Sequence, residues 1–129
     1  MKNFQLYNNL VKKKLADSIK DILELVQNKM VSNFCFYISC EKHPENLVPD
    51  NDEEYTTIVL ENLFWNLDVD EDGFHVGVEI NGVEEEIYIC FESIVLFNDR
   101  KSSFILDFRS IKQINMDGLE SEGIVLVDL

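Results

Sequence analysis

The dipeptide Asn81-Gly82 stands between two runs of alternating apolar residues, Phe74, Val76, Val78 and Ile80 before it and Val83, Ile87, Ile89 and Phe91 after it. A two-residue type I′ hairpin needs positive φ at both central positions, and Asn-Gly adopts it at the least steric cost. The spacing therefore predicts two antiparallel strands joined by a tight turn, with Glu84 and Glu86 pointing away from the core.

The other segments after residue 33 read in the same way. Phe34, Phe36 and Ile38 alternate with Cys35, Tyr37 and Ser39, and Thr56 to Asn62 is rich in β-formers. Trp65, Leu67 and Val69 alternate with polar partners before the turn Asp70-Glu71-Asp72-Gly73. Ile94 to Phe97 and then Phe104, Leu106 and Phe108 supply the last strands. Between the first two strands lies a polar segment, Glu41 to Tyr55, which holds both prolines. Connections of that length are more often functional than idle.

Only the N-terminal segment has a helical period. Leu15, Ile19, Ile22, Leu23, Val26 and Met30 share one face, and Leu10 and Val11 extend the stripe backward. The spacing predicts a helix over about residues 5–28, with Asn28 as a left-handed stop. One helix followed by short antiparallel strands within 34–108 implies an α+β fold, its sheet curled into an open SH3/Sm-like barrel or a sandwich. Residues 1–110 form the expected domain. Residues 111–129 read as a flexible tail with a short apolar end.

A chain of 129 residues buries roughly two-thirds of its unfolded surface, enough for one core. The three cysteines, Cys35, Cys40 and Cys90, have no C-x-x-C spacing and read as free thiols of a reducing cytoplasm. No window has the apolar length of a signal peptide or a membrane span, so a soluble cytoplasmic protein with no membrane partner is expected. The net charge of −14 is unevenly placed. His43 to Asp99 contains 16 acidic residues and neither Lys nor Arg, which argues against a nucleic-acid partner. The basic run Lys12-Lys13-Lys14 reads as a solvated helix face.

Catalytic and metal signals are thin. His43 and His75 have no ligand spacing and read as ordinary surface or half-buried residues. Asp68, Asp70, Asp72 and Glu79 match the lettering of a calcium loop, yet the segment is flanked by strands where the pattern needs helices. An acidic surface turn is the better reading. No catalytic residue, metal or cofactor is expected. What a small curled sheet offers is an edge or groove on which an extended peptide can lie.

The succession Phe36-Tyr37-Ile38-Ser39, Thr57-Ile58-Val59-Leu60, Phe64-Trp65-Asn66-Leu67, Glu71-Asp72-Gly73-Phe74 and Asn81-Gly82-Val83 resembles the stringent starvation protein B (SspB) adaptors in their alphaproteobacterial form. That resemblance implies a non-enzymatic homodimer that holds the ssrA degradation tag and hands tagged polypeptides to the ClpXP protease. By position it implies a peptide site at Thr57, Val59, Glu61, Val78, Ile80, Asn81 and Gly82. The apolar run Ile124, Val125, Leu126 and Val127 resembles the start of the family's tail segment that docks on the ClpX unfoldase. The helix residues Leu15, Ile19, Ile22, Leu23 and Val26 are expected at the dimer contact, because the stripe looks longer than one small barrel can cover. The rival expectation is an Sm/SH3-like barrel serving as an RNA-associated or structural module.

Overall fold

A computed structural model describes residues 2–61 and 64–109. Helix α1 runs from Lys2 to Gln27, followed by β1 (Phe36–Glu41), β2 (Tyr55–Leu60), β3 (Phe64–Val69), β4 (Gly73–Ile80), β5 (Val83–Cys90), a single 3-10 turn (Phe91–Ser93), β6 (Ile94–Asp99) and β7 (Phe104–Asp107). The strands form two antiparallel sheets of order β2-β1-β6-β7 and β3-β4-β5. This is the expected α+β fold, with the two sheets left unclosed. Outside the named strands, Leu47 bridges to Tyr88 and ties the long loop to β5.

Asn81 and Gly82 take φ of 52° and 80°, and the β4–β5 ladder runs unbroken from Ile80↔Val83 to Gly73↔Cys90. The hairpin thus sets the register of three-strand sheet B. Its inner face carries Phe74, Val76, Val78, Ile87 and Ile89, all buried. The four-strand sheet A contributes Phe36, Ile38, Ile58, Leu60 and Phe97 to the same core. Phe34 stacks on Phe36 with ring centroids 4.5 Å apart and leans on Phe64 of β3 at 5.8 Å, so aromatic contacts join the sheets where hydrogen bonds do not.

Three local details depart from the sequence expectation. The helix ends on Lys29, not Asn28, as the left-handed residue, with φ of 60°. Lys29 N–H donates to the Val26 carbonyl (3.0 Å) and Met30 N–H to the Leu25 carbonyl (2.8 Å), the double bond of a Schellman cap. The strand expected to begin at Phe34 begins at Phe36, and Phe34 and Cys35 form a buried lead-in. Trp65 does not share a face with Leu67 and Val69. A bulge between Trp65 and Asp68, with Asn66 at φ 55°, inserts an extra residue and turns Trp65 outward. Its indole lies over Gly77, where any Cβ would collide with the ring.

Helix α1 packs on the 3-10 turn and on β3. Gln27 Oε1 accepts the Val69 amide at 3.0 Å and pins the end of the helix to the strand. Ile19 and Leu23 are fully buried and Val26 nearly so, while Leu15, Ala16 and Ile22 press on the core from its edge. The corner after β6 is organised by Asp99. One of its carboxylate oxygens accepts the amides of Cys35 (3.1 Å) and Lys101 (3.0 Å), and the other accepts the Ser102 hydroxyl (2.9 Å). Burial pulls the Asp99 pKa up, but these donors outweigh it and leave the carboxyl below its ordinary value.

Candidate peptide-binding surface

Strand β2 is the sequence Tyr-Thr-Thr-Ile-Val-Leu, all β-branched or aromatic except its last residue, and it lies at the edge of sheet A. Its register with β1 runs from Phe36↔Leu60 to Glu41↔Tyr55. Ile58 and Leu60 point into the core, so Thr57 and Val59 point out by the two-residue period. Among the described residues, no backbone hydrogen bond other than those to β1 reaches β2. The strand therefore presents one row of unpaired N–H and C=O groups.

On the outer face, Val59 is 41% exposed and stands across from Tyr37. The Arg100 guanidinium lies 5.0 Å from the Tyr37 ring centroid, a cation–π contact on a chain with few cations. The Thr57 hydroxyl is 2.7 Å from that of Ser39 and is thereby oriented along the sheet. Glu61, where β2 ends, borders Cys35. Burial first, and then the charge and hydrogen bond of Glu61, raise that thiol's pKa.

The residues expected to meet a peptide thus fall into two groups. Thr57, Val59 and Glu61 belong to the free edge and outer face of sheet A. Val78 is 3% exposed on the inner face of sheet B, where it belongs to the core and cannot touch a ligand directly. Ile80 is half-buried against that core, and Asn81 and Gly82 form the exposed hairpin tip. Parity along β2 and β4 explains the division: Ile58 and Val78 are the inward residues of their strands, and Val59 is not.

The expected dimer residues also change place. Ile19, Leu23 and Val26 are committed to the core of their own chain, and Leu15 and Ile22 press on it. Among the described residues, the exposed apolar side chains of α1 are Leu6, Tyr7, Leu10 and Val11, which form two i,i+4 pairs on the N-terminal turns, and Leu25 near its other end. The residues expected to dock on ClpX, Ile124 to Val127, lie outside the described residues.

A cavity of about 590 Å³ lies elsewhere, between α1 and the exits of β1 and β5. Lys12 and Lys13 line it together with the acidic Glu41, Glu45, Glu71, Asp72 and Glu92 and the apolar Phe91, Ile94, Val95 and Phe108. None of the seven expected peptide residues borders it, and its mixed-charge walls differ from a strand edge. The acidic turn before β4 closes on itself. Asp70 Oδ1 accepts the amides of Asp72 and Gly73 at 2.8 Å each and the Tyr88 hydroxyl at 3.3 Å. Burial, and then the charge and hydrogen bond of Asp70, push the Tyr88 phenol up to about 12.

Both sheets are open, so β2 and β7 are the edge strands of sheet A and β3 and β5 those of sheet B, and an exposed edge of this kind can accept an extended peptide as an added strand. The sequence profile of the family described as stringent starvation protein B matches residues 9–123. The chain belongs to that family, which is one of adaptors. No curated protein matches the chain. No helix among the described residues is long and apolar enough to cross a membrane.

Proposed function

We propose that the chain is a tag-binding adaptor: it holds an ssrA-type peptide as an added strand along the free edge of β2 and delivers the tagged polypeptide to ClpXP. The observation that carries this reading is the unpaired β2 edge in a chain of an adaptor family. Main-chain hydrogen bonds supply affinity in such an arrangement, and alternate side chains supply selectivity. Val59 flanks the added strand on the outer face, and Glu61 stands at its end. Ile80, Asn81 and Gly82 contribute only if the peptide runs on towards the hairpin tip. The acidic surface between His43 and Asp99 weighs against an RNA-associated role.

Val59→Glu tests the edge. The side chain already faces solvent, so the variant is expected to fold as the parent does. A labelled ssrA-type peptide, followed by anisotropy, should bind at least about tenfold more weakly, or about 1.4 kcal/mol. Unchanged affinity in the folded variant would move the peptide away from β2.

The proposed homodimer uses the N-terminal turns of α1. Leu6, Tyr7, Leu10 and Val11 expose an apolar stripe that an antiparallel or crossing copy of the same helix would cover. Leu10→Glu is expected to leave the melting transition unchanged and to convert dimer to monomer in sedimentation velocity. A folded variant that remains dimeric would take these turns out of the interface.

A further inference from the structure

One cluster of ligand-type side chains lies away from β2, at the exits of β1 and β5. His43 follows β1 by two residues, Cys90 ends β5 and Glu92 sits in the 3-10 turn. One imidazole nitrogen, the Cys90 Sγ and a Glu92 carboxylate oxygen all lie within 4.8 Å of one another. His43 Nε2 is 2.8 Å from Glu92 Oε1, and Cys90 is almost fully buried.

The scaffold around these groups is firmly held. Asn46 spans it, accepting the Cys90 amide at 2.8 Å and donating from its side-chain nitrogen to the Ser93 hydroxyl at 2.9 Å. Ser93 in turn donates to the Cys90 carbonyl at 2.8 Å. Leu47 and Tyr88 exchange backbone hydrogen bonds of 2.9 and 3.0 Å, which fasten the His43 loop to β5. These bonds hold the backbone around the cluster without using the His43 or Glu92 ligand atoms, while Ser93 also hydrogen-bonds the Cys90 thiol.

We propose that His43, Cys90 and Glu92 form a binding site for a divalent cation of zinc type. Thiolate, imidazole and carboxylate together suit zinc and disfavour calcium and magnesium, which take oxygen ligands. Tetrahedral zinc with bonds of about 2.0–2.3 Å places its ligand atoms roughly 3.3–3.8 Å apart. The cluster reaches that spacing by opening the His43–Glu92 pair and drawing the thiolate inward. Binding releases the Cys90 thiol proton to solvent. When Nε2 becomes the ligand, its proton moves to Nδ1, and the 3.1 Å contact that Nδ1 accepts from the Glu45 amide opens. Glu92 has a 76% exposed side chain, so the fourth position opens to water. The ion would cross-link the end of β1 to the end of β5.

The test loads the full chain with Co²⁺, whose thiolate charge-transfer absorption reports a sulfur ligand, and then displaces it with Zn²⁺ against a chromophoric chelator. The expected result is one equivalent bound with a charge-transfer band in the parent. Cys90→Ser should lose the band, Cys35→Ser should keep it, and His43→Ala should weaken zinc at least about tenfold. His43 is at the surface end of the cluster, so its variant remains informative if Cys90→Ser fails to fold. Absence of the band in the parent, or zinc affinity unchanged in His43→Ala, overturns the site and leaves only loose binding to surface carboxylates.

Discussion

Ile19→Asp is expected to unfold the chain and not merely to separate a dimer. Ile19 is completely buried between α1 and the sheets. Removing its side chain from the core costs about 2–5 kcal/mol, and placing a carboxylate there without a partner adds a desolvation penalty of similar size. Against a total stability of about 5–15 kcal/mol, that sum removes most of the folded population. Far-ultraviolet circular dichroism and a urea titration read the effect directly. A folded, monomeric Ile19→Asp protein would show that α1 does not dock on the core, and the division of its stripe into buried and exposed parts would fall with it.

The second large effect concerns delivery. Tag binding on β2 is proposed here, and the family resemblance implies that a separate task, docking on ClpX, falls to Ile124 to Val127. Deleting residues 119–129 is therefore expected to leave peptide affinity unchanged and to abolish stimulation of ClpXP. Tethering raises the local concentration of substrate at the protease, and a chain that binds the tag without tethering only sequesters it. Degradation of an ssrA-tagged reporter at low concentration distinguishes the outcomes. Equal stimulation with and without these residues would remove the tether from that segment, and lost peptide binding would show that the segment belongs to the tag site.

Much of the fold is legible because local and long-range preferences agree. Asn81-Gly82 announces the β4–β5 hairpin, and the 3.6-residue period announces α1. The misplaced details have specific physical causes. Strict alternation puts Trp65 on one face with Leu67 and Val69 because it leaves no room for a bulge at Asn66. Propensity points to Asn28 as the helix stop, one residue early, because the hydrogen bonds to Leu25 and Val26 hold Lys29 in a conformation that propensity alone does not assign to lysine.

The site was legible only in part. Strand parity separates Val59 from Ile58, but no sequence period tells which strand edge is left unpaired. The period of the helix stripe does not show which part is surplus: Ile19, Leu23 and Val26 are covered by the core, while Leu10, Val11 and Met30 at its two ends are exposed. His43, Cys90 and Glu92 carried no spacing signal because they meet through loop closure. His43 and Glu92 stand 49 positions apart in the chain.

Whether this chain passes ssrA-tagged polypeptides to ClpXP can be read from degradation of one reporter with and without the tag, at a concentration well below saturation of the protease. Adding the chain is expected to accelerate loss of the tagged reporter and to leave the untagged one unaffected, and Val59→Glu is expected to remove most of the acceleration. Equal degradation of the tagged reporter in the presence and absence of the chain would contradict delivery to ClpXP.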